Sequence, residues 1–198
     1  MFVPFSQKAK AWEPHAHKLR AMVRCGTQAR FEPFQLAPIV GLTVQECMFA
    51  GLSESEIAQL SDGNRLCWSG GVYPELLPDG TRLCMLNPLQ SPRRSRITLM
   101  EEICHCYFGH QPTSLVVNSQ GLLVRDFNKK QEEEAYGVGA AVLLPWNLFF
   151  PRINKGTTLE DLAEEFDVTT QLVEYRVKIT GASALYRSRQ LKKHQQPK

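Results

Sequence analysis

Apolar positions recur with a helical period in several parts of the chain, and most clearly around 98–110. There Ile97, Met100, Ile103, Cys104 and Tyr107 fall three and four residues apart and form one apolar stripe. Ala16, Leu19 and Val23 predict another helix over 13–24, with Pro14 in its first turn and an irregular lead-in before it. A short helix is expected at 34–39, closed by Gly41 and running into an extended 42–44. Another is expected at 53–60, with Ser53 as cap and Glu56 three residues on. Asp62-Gly63-Asn64 reads as a turn.

The period then changes. Runs at 66–73 and 81–87 read as strands joined through Leu77-Pro78-Asp79-Gly80, and are expected to form an antiparallel pair. Two shorter apolar runs, 115–117 and 122–124, flank Asn118-Ser119-Gln120-Gly121 and suggest a hairpin. The stretch 131–145 reads as a helix ended by Pro145. Beyond it, 158–166 and 170–177 form a helical pair with helix-turn-helix spacing, stopped by Gly181.

Composition adds limits to this pattern. The chain has 198 residues, 43% of them hydrophobic and 22% charged, which suits one globular domain with a real core. We expect that domain over 1–182, with 158–181 as its helical pair and 183–198 as a flexible basic tail carrying Arg187, Arg189, Lys192, Lys193 and Lys198. A net charge of +3 is too mild to imply a nucleic-acid partner. The helix at 170–177 also offers little positive charge to meet phosphates, so helix packing is expected there rather than DNA reading. The six cysteines show no disulfide-framework spacing, and no apolar run reaches membrane-spanning length. With no signal-peptide pattern at the start, the expected location is the cytoplasm, with reduced thiols.

The candidate chemistry lies on the 98–110 helix. Glu101 and His105 are four apart and stack on one helix face, with Glu102 beside them. This is the layout of the H-E-x-x-H zinc helix with Glu in the first ligand position. Two carboxylates and a histidine on a solvated face would look the same. Cys104-His105-Cys106 cannot converge on one ion, because adjacent helical residues point about 100° apart; Cys104 belongs to the core stripe. In the 131–145 helix, Glu134 shares a face with Gly137, Val138 and Ala141. Glycine weakens a helix by roughly 1 kcal/mol relative to alanine, so Gly137 and Gly139 predict close approach of another helix. If that partner is the 98–110 helix, Glu134 arrives beside Glu101 and His105. The plainer reading is an acidic helix start favoured by the dipole. His15 and His17 read as solvent-exposed. Arg93, Arg94 and Arg96 can bind a phosphate or carboxylate, or simply lie in a solvated loop.

Taken together, Arg96-Ile97-Thr98-Leu99-Met100-Glu101-Glu102-Ile103-Cys104-His105 and the block from Glu134-Ala135 to Leu143-Leu144-Pro145 resemble the ImmA/IrrE family of metallo-endopeptidases. The resemblance covers roughly 37–181. It implies a zincin-like α+β fold, in which a small antiparallel sheet packs on an active-site helix and a second acidic, small-residue helix, followed by a helical pair. It also implies one Zn²⁺ and limited proteolysis of a protein partner, often a helix-turn-helix repressor. By this resemblance His105 is the second histidine ligand, Glu102 the catalytic glutamate and Glu134 the downstream acidic ligand. Glu101 stands where the family's first histidine stands, Tyr136 at its asparagine position and Val138 at its phenylalanine position. A set of two carboxylates and one imidazole is harder than the usual one and can favour Mn²⁺ or Fe²⁺. His110 is read as a neighbour of the metal ligands, as a transition-state donor, or as a packed histidine. The alternative function is a catalytically inactive zincin-fold protein that binds a partner.

Overall fold

Helix α1 (Gln7–Met22) starts where a serine can cap it: the Ser6 side chain accepts a hydrogen bond from the Ala9 amide. The expected start near 13 is therefore too late, and Pro14 lies inside the helix rather than in its first turn. An interior proline costs about 3 kcal/mol. The buried stripe Ala9, Trp12, Ala16 and Leu19 runs through it and offsets that cost. The computed structural model describes residues 3–25, 30–46, 53, 55, 69–110, 115–117, 123–125 and 128–195. The expected 53–60 helix (apart from Ser53 and Ser55), the 62–64 turn and the first residues of the 66–73 strand lie outside them.

The short helix α2 (Pro33–Leu36) passes into a 3₁₀ turn (Ala37–Val40) that ends at Gly41, whose φ of +80° suits glycine. Strand β1 (Leu42–Glu46) follows, then β2 (Gly70–Leu76) and β3 (Arg82–Leu86), in the order β1-β3-β2. β2 and β3 pair antiparallel, as expected, around a turn closed by Gly80 N–H to the Leu77 carbonyl. β1 pairs parallel to β3, from Leu42 opposite Arg82 to Glu46 opposite Leu86, so the sheet is mixed rather than purely antiparallel. The register of β2 shifts between Val72 and Leu76, across Pro74. Proline has no amide hydrogen to give to a ladder and is tolerated on this edge strand.

Helix α3 (Pro92–Phe108) covers one side of the sheet. Ser91 caps it by accepting from the Arg94 amide, and Ile97, Leu99, Met100, Ile103 and Cys104 are buried. Arg93, Arg94 and Arg96 are thus helical, not a solvated loop. Arg96 is buried and pairs with Glu32 at 2.8 Å, and Asp167 accepts Arg93 at 3.1 Å and Arg30 at 3.0 Å. β4 (Leu115–Val117) and β5 (Leu123–Arg125) pair antiparallel as the expected hairpin; their turn lies outside the described residues.

Helix α4 (Lys129–Leu143) is capped by Asn128 and packs between α1 and α3. α5 (Trp146–Asn154) follows at once and had no sequence expectation. α6 (Leu159–Phe166) and α7 (Thr170–Ile179) are the predicted helical pair, capped by Thr158 and Thr169. α8 (Ser183–Gln195) occupies the segment expected to be a flexible tail. Leu185 and Tyr186 rest on the core, and the Gln190 amide donates to the carbonyls of Gly156 and Thr157. Among the described residues, no helix is long and apolar enough to cross a membrane.

One buried network ties the helices together. Arg176 of α7 is fully buried and donates to Glu13 of α1 and to the Leu144 carbonyl. The second Glu13 oxygen accepts from the Trp146 amide at 3.0 Å. The ends of α4 and α5 are thus pinned to α1 and α7.

Candidate metal centre

Two helices build the site. α3 presents Glu101 and His105 one turn apart, and α4 presents Glu132 opposite them. One ligand atom from each of the three lies within 4.8 Å of the others. The His105 Nε2 atom is 3.5 Å from a Glu132 oxygen. Each of the three residues is half-buried, open enough to meet a partner yet shielded from bulk water.

Glu134, the acidic ligand implied by resemblance, is not in this group. Its Oε2 atom is 3.1 Å from the His110 Nε2 atom. The reason is the rotation of α4. A side chain added at Gly137 would run into the ring of Trp12 on α1 at 2.5 Å, whereas one at Gly139 would lie 3.4 Å from Met100 on α3. The face of Gly137 therefore meets α1. The face of Glu132, Tyr136 and Gly139, spaced i, i+4 and i+7, meets α3. The sequence signal for Glu132 was this second set of positions, which competed with the equally regular set built on Glu134.

His110 comes to the site through the end of α3. Gly109 adopts a φ of +65°, and the His110 amide donates to the His105 carbonyl at 3.0 Å while the Gly109 amide donates to that of Cys106. This Schellman closure folds the chain back by one turn. The two imidazoles meet through their Nδ1 atoms at 3.0 Å, and the ring of Phe108 stacks on His110 at 17° between planes. Phe108 is backed in turn by His15, which is half-buried and 3.3 Å from the Tyr107 hydroxyl rather than free in solvent. His17 is exposed as expected.

Electrostatics set the resting state of the group. Burial, helped by the charges of Glu102 and Glu132, pushes the Glu101 carboxyl up to about 7, with Arg94 as a weaker opposing influence. Burial lowers the pKa of His105, against the pull of Glu132, and the neighbouring His110 lowers it further. The neutral imidazole that a metal requires is therefore the favoured form at neutral pH. Glu102 lies about 60° round the helix from His105. Burial, with the charge of Glu102, pushes the Cys84 thiol of β3 up to about 12 and raises that of Cys106 against the pull of Arg82. Tyr136 forms an edge-to-face pair with Tyr175 of α7, centroids 4.8 Å apart; burial raises both phenols and Glu101 adds to the rise. Tyr175 and Arg94 are neighbours of the site that the sequence reading did not place there. Cys104 is fully buried in the core, as expected.

The donor set fits a divalent cation. Two crowded carboxylates with a neutral imidazole form an oxygen-rich, anionic site.

Comparison with known proteins bears on the fold and the family. A solved structure of a Mycobacterium tuberculosis transcriptional regulator shares the fold, with a TM-score of 0.55 at 14% sequence identity over 84% of this chain. The match spans 46% of that chain, so this protein corresponds to about half of its length. No curated protein matches the sequence significantly. The family model described as the IrrE N-terminal-like domain, Peptidase_M78, matches residues 60–178, which include α3, α4 and every residue of the metal group. That stretch is more than half of the chain, and the chain belongs to the IrrE N-terminal-like (Peptidase_M78) family.

Proposed function

We propose that the protein is a metal-dependent endopeptidase that makes limited cuts in a protein partner, with a helix-turn-helix repressor as the expected class of substrate. The observation that carries this reading is the convergence of Glu101, His105 and Glu132 in a chain of a peptidase family, with Glu102 next to Glu101 in the sequence of α3. Glu101, His105 and Glu132 would hold the ion, Zn²⁺ or, given the two carboxylates, Mn²⁺ or Fe²⁺. A bound ion would supply the Lewis-acid chemistry, acidifying water and polarising the scissile carbonyl. His105 contributes a neutral ring nitrogen. Glu102 is the group that takes the proton of the attacking water on its carboxylate and returns it to the leaving amine. The transcriptional regulator whose fold this chain shares supports a partner in transcriptional control.

The test is incubation of candidate repressors with wild-type protein and with Glu102→Gln, each loaded with Zn²⁺ or Mn²⁺, followed by mass spectrometry of new chain termini. General-base loss should slow cutting by at least about 10²-fold while elemental analysis shows the same metal content. Equal cutting by the variant would remove Glu102 from its role as general base, and no new termini with the metal-loaded wild type would overturn the peptidase reading. Glu101 favours one second reading, because it stands where the resembling family has a histidine: a metal-bearing protein that holds its partner without cutting it. Metal bound at full stoichiometry, a stable complex and no new termini would establish that reading instead.

A further inference from the structure

We infer that Glu134 and His110 form a hydrogen-bonded relay that fixes the tautomer and orientation of His105, making Glu134 a positioning residue for the metal group rather than a ligand. This inference rests on the reading of His105 as a ligand.

The argument is one of donors and acceptors. His105 turns its Nε2 toward Glu132 and its Nδ1 toward the Nδ1 of His110, 3.0 Å away. A neutral imidazole has one donor and one acceptor nitrogen. The contact between the two Nδ1 atoms therefore needs one of them protonated and the other bare. If His110 carried the proton there, its Nε2 lone pair would face the Glu134 carboxylate at 3.1 Å, two acceptors with no hydrogen between them. His105 would then carry its own proton on Nε2 and could not bind an ion through it.

The opposite assignment lets Glu134 accept from His110 Nε2–H and His110 Nδ1 accept from His105 Nδ1–H, and it leaves the His105 Nε2 lone pair for an ion that would lie between it and the Glu132 carboxylate. With an ion there, the charge of Glu134 supports, two hydrogen bonds away, the tautomer that makes His105 a ligand. Metal-bound histidines typically give their second nitrogen to a carboxylate or carbonyl; here an imidazole is interposed. The relay is held in place by the closure of α3 at Gly109 and by the stacking of Phe108 on His110. The His110 side chain is 6% exposed and cannot swing away, whereas the Glu134 side chain is 45% exposed and can be altered without disturbing the core.

The experiment measures Zn²⁺ affinity by chelator competition, and the ring nitrogens of His105 by ¹⁵N NMR of the protein loaded with ¹¹³Cd²⁺. Glu134→Gln should weaken Zn²⁺ binding about 10–100-fold, the usual cost of losing such a support, and His110→Ala should do the same. His110→Asn, whose carbonyl can replace the Nδ1 acceptor, should recover much of the loss, and adding Glu134→Gln to it should cost nothing more. The wild-type spectrum should show cadmium coupling at Nε2 and a proton on Nδ1. Full Zn²⁺ affinity in Glu134→Gln, or coupling at Nδ1, would overturn the relay. Absence of metal binding by the wild-type protein would instead overturn the metal centre itself.

Discussion

Replacing Glu101 by Gln tests the charge crowding at the centre. Glutamine keeps the shape of the protonated carboxyl and cannot ionise. In the metal-free protein the Glu101 carboxyl is raised from 4.5 to about 7. One pKa unit corresponds to about 1.4 kcal/mol, so a rise of this size amounts to about 3 kcal/mol. Its sign follows from proton counting. Between these two values the folded state holds a proton that the unfolded chain has released, so raising the pH removes stability. The contribution is fully present below pH 4.5, is lost as the pH rises through about 7, and is gone above it. Urea unfolding of chelator-treated wild-type and Glu101→Gln protein from pH 4.5 to 8.5 reads this carboxyl together with its charge coupling to Glu102 and Glu132. The two should have similar stability at the acid end, and the variant should be more stable by up to about 3 kcal/mol at the alkaline end. Metal should reverse that order. At a thousand times its dissociation constant an ion adds about 4 kcal/mol to the wild type, and it should add much less to a variant lacking one anionic ligand. Parallel curves for the two metal-free proteins would refute the crowding and the placement of Glu101 within the group.

Two further substitutions test the packing that holds the centre. Glu13→Ala leaves the fully buried Arg176 without its carboxylate partner and should cost about 3–5 kcal/mol in urea unfolding; a loss under 1 kcal/mol would show that the pair is not buried as described. Gly137→Ala forces a methyl to 2.5 Å from the Trp12 ring and should cost about 1–3 kcal/mol, whereas Gly139→Ala meets Met100 at 3.4 Å and should be nearly neutral, its helix-propensity gain offsetting a tight fit. Equal effects at the two glycines in thermal unfolding would contradict the rotation of α4.

The readable parts of the fold are those where local chemistry and tertiary need coincide. α3 shows itself by its apolar stripe, α6 and α7 by their helix-turn-helix spacing and the stop at Gly181, and the turn between β2 and β3 by Pro78-Asp79-Gly80. Where tertiary contacts decide, the reading goes astray. Pro14 suggested a helix start, yet burial of Trp12 and Leu19 carries α1 through it. The basic residues of 183–198 suggested a tail, yet Leu185 and Tyr186 supply enough apolar surface to seat α8. β1 joins the sheet parallel through a pairing that no local pattern announces. At the site, the grouping of Glu101 with His105 was legible because their spacing is internal to one helix. The α4 partner was not, because a choice between Glu132 and Glu134 requires the angle at which one helix faces another.

That angle links the packing to the chemistry. A Cβ at Gly139 would lie 3.4 Å from the peptide of Met100, the residue that immediately precedes Glu101, so α4 passes close to α3 there. Glu132 lies seven residues, or two helical turns, before Gly139 on the same face, so the close crossing fixes its approach to Glu101 and His105. The Glu13–Arg176–Trp146 network fixes the far end of α4, and Trp12 in the notch of Gly137 blocks its rotation toward α1. The glutamate beside the metal group and the glutamate behind His110 are thus consequences of a single rotational setting. Turning α4 by one residue would withdraw Glu132 from His105 and Glu134 from His110 together. The small residues of α4, which first suggested only close packing, therefore set which carboxylate meets which imidazole.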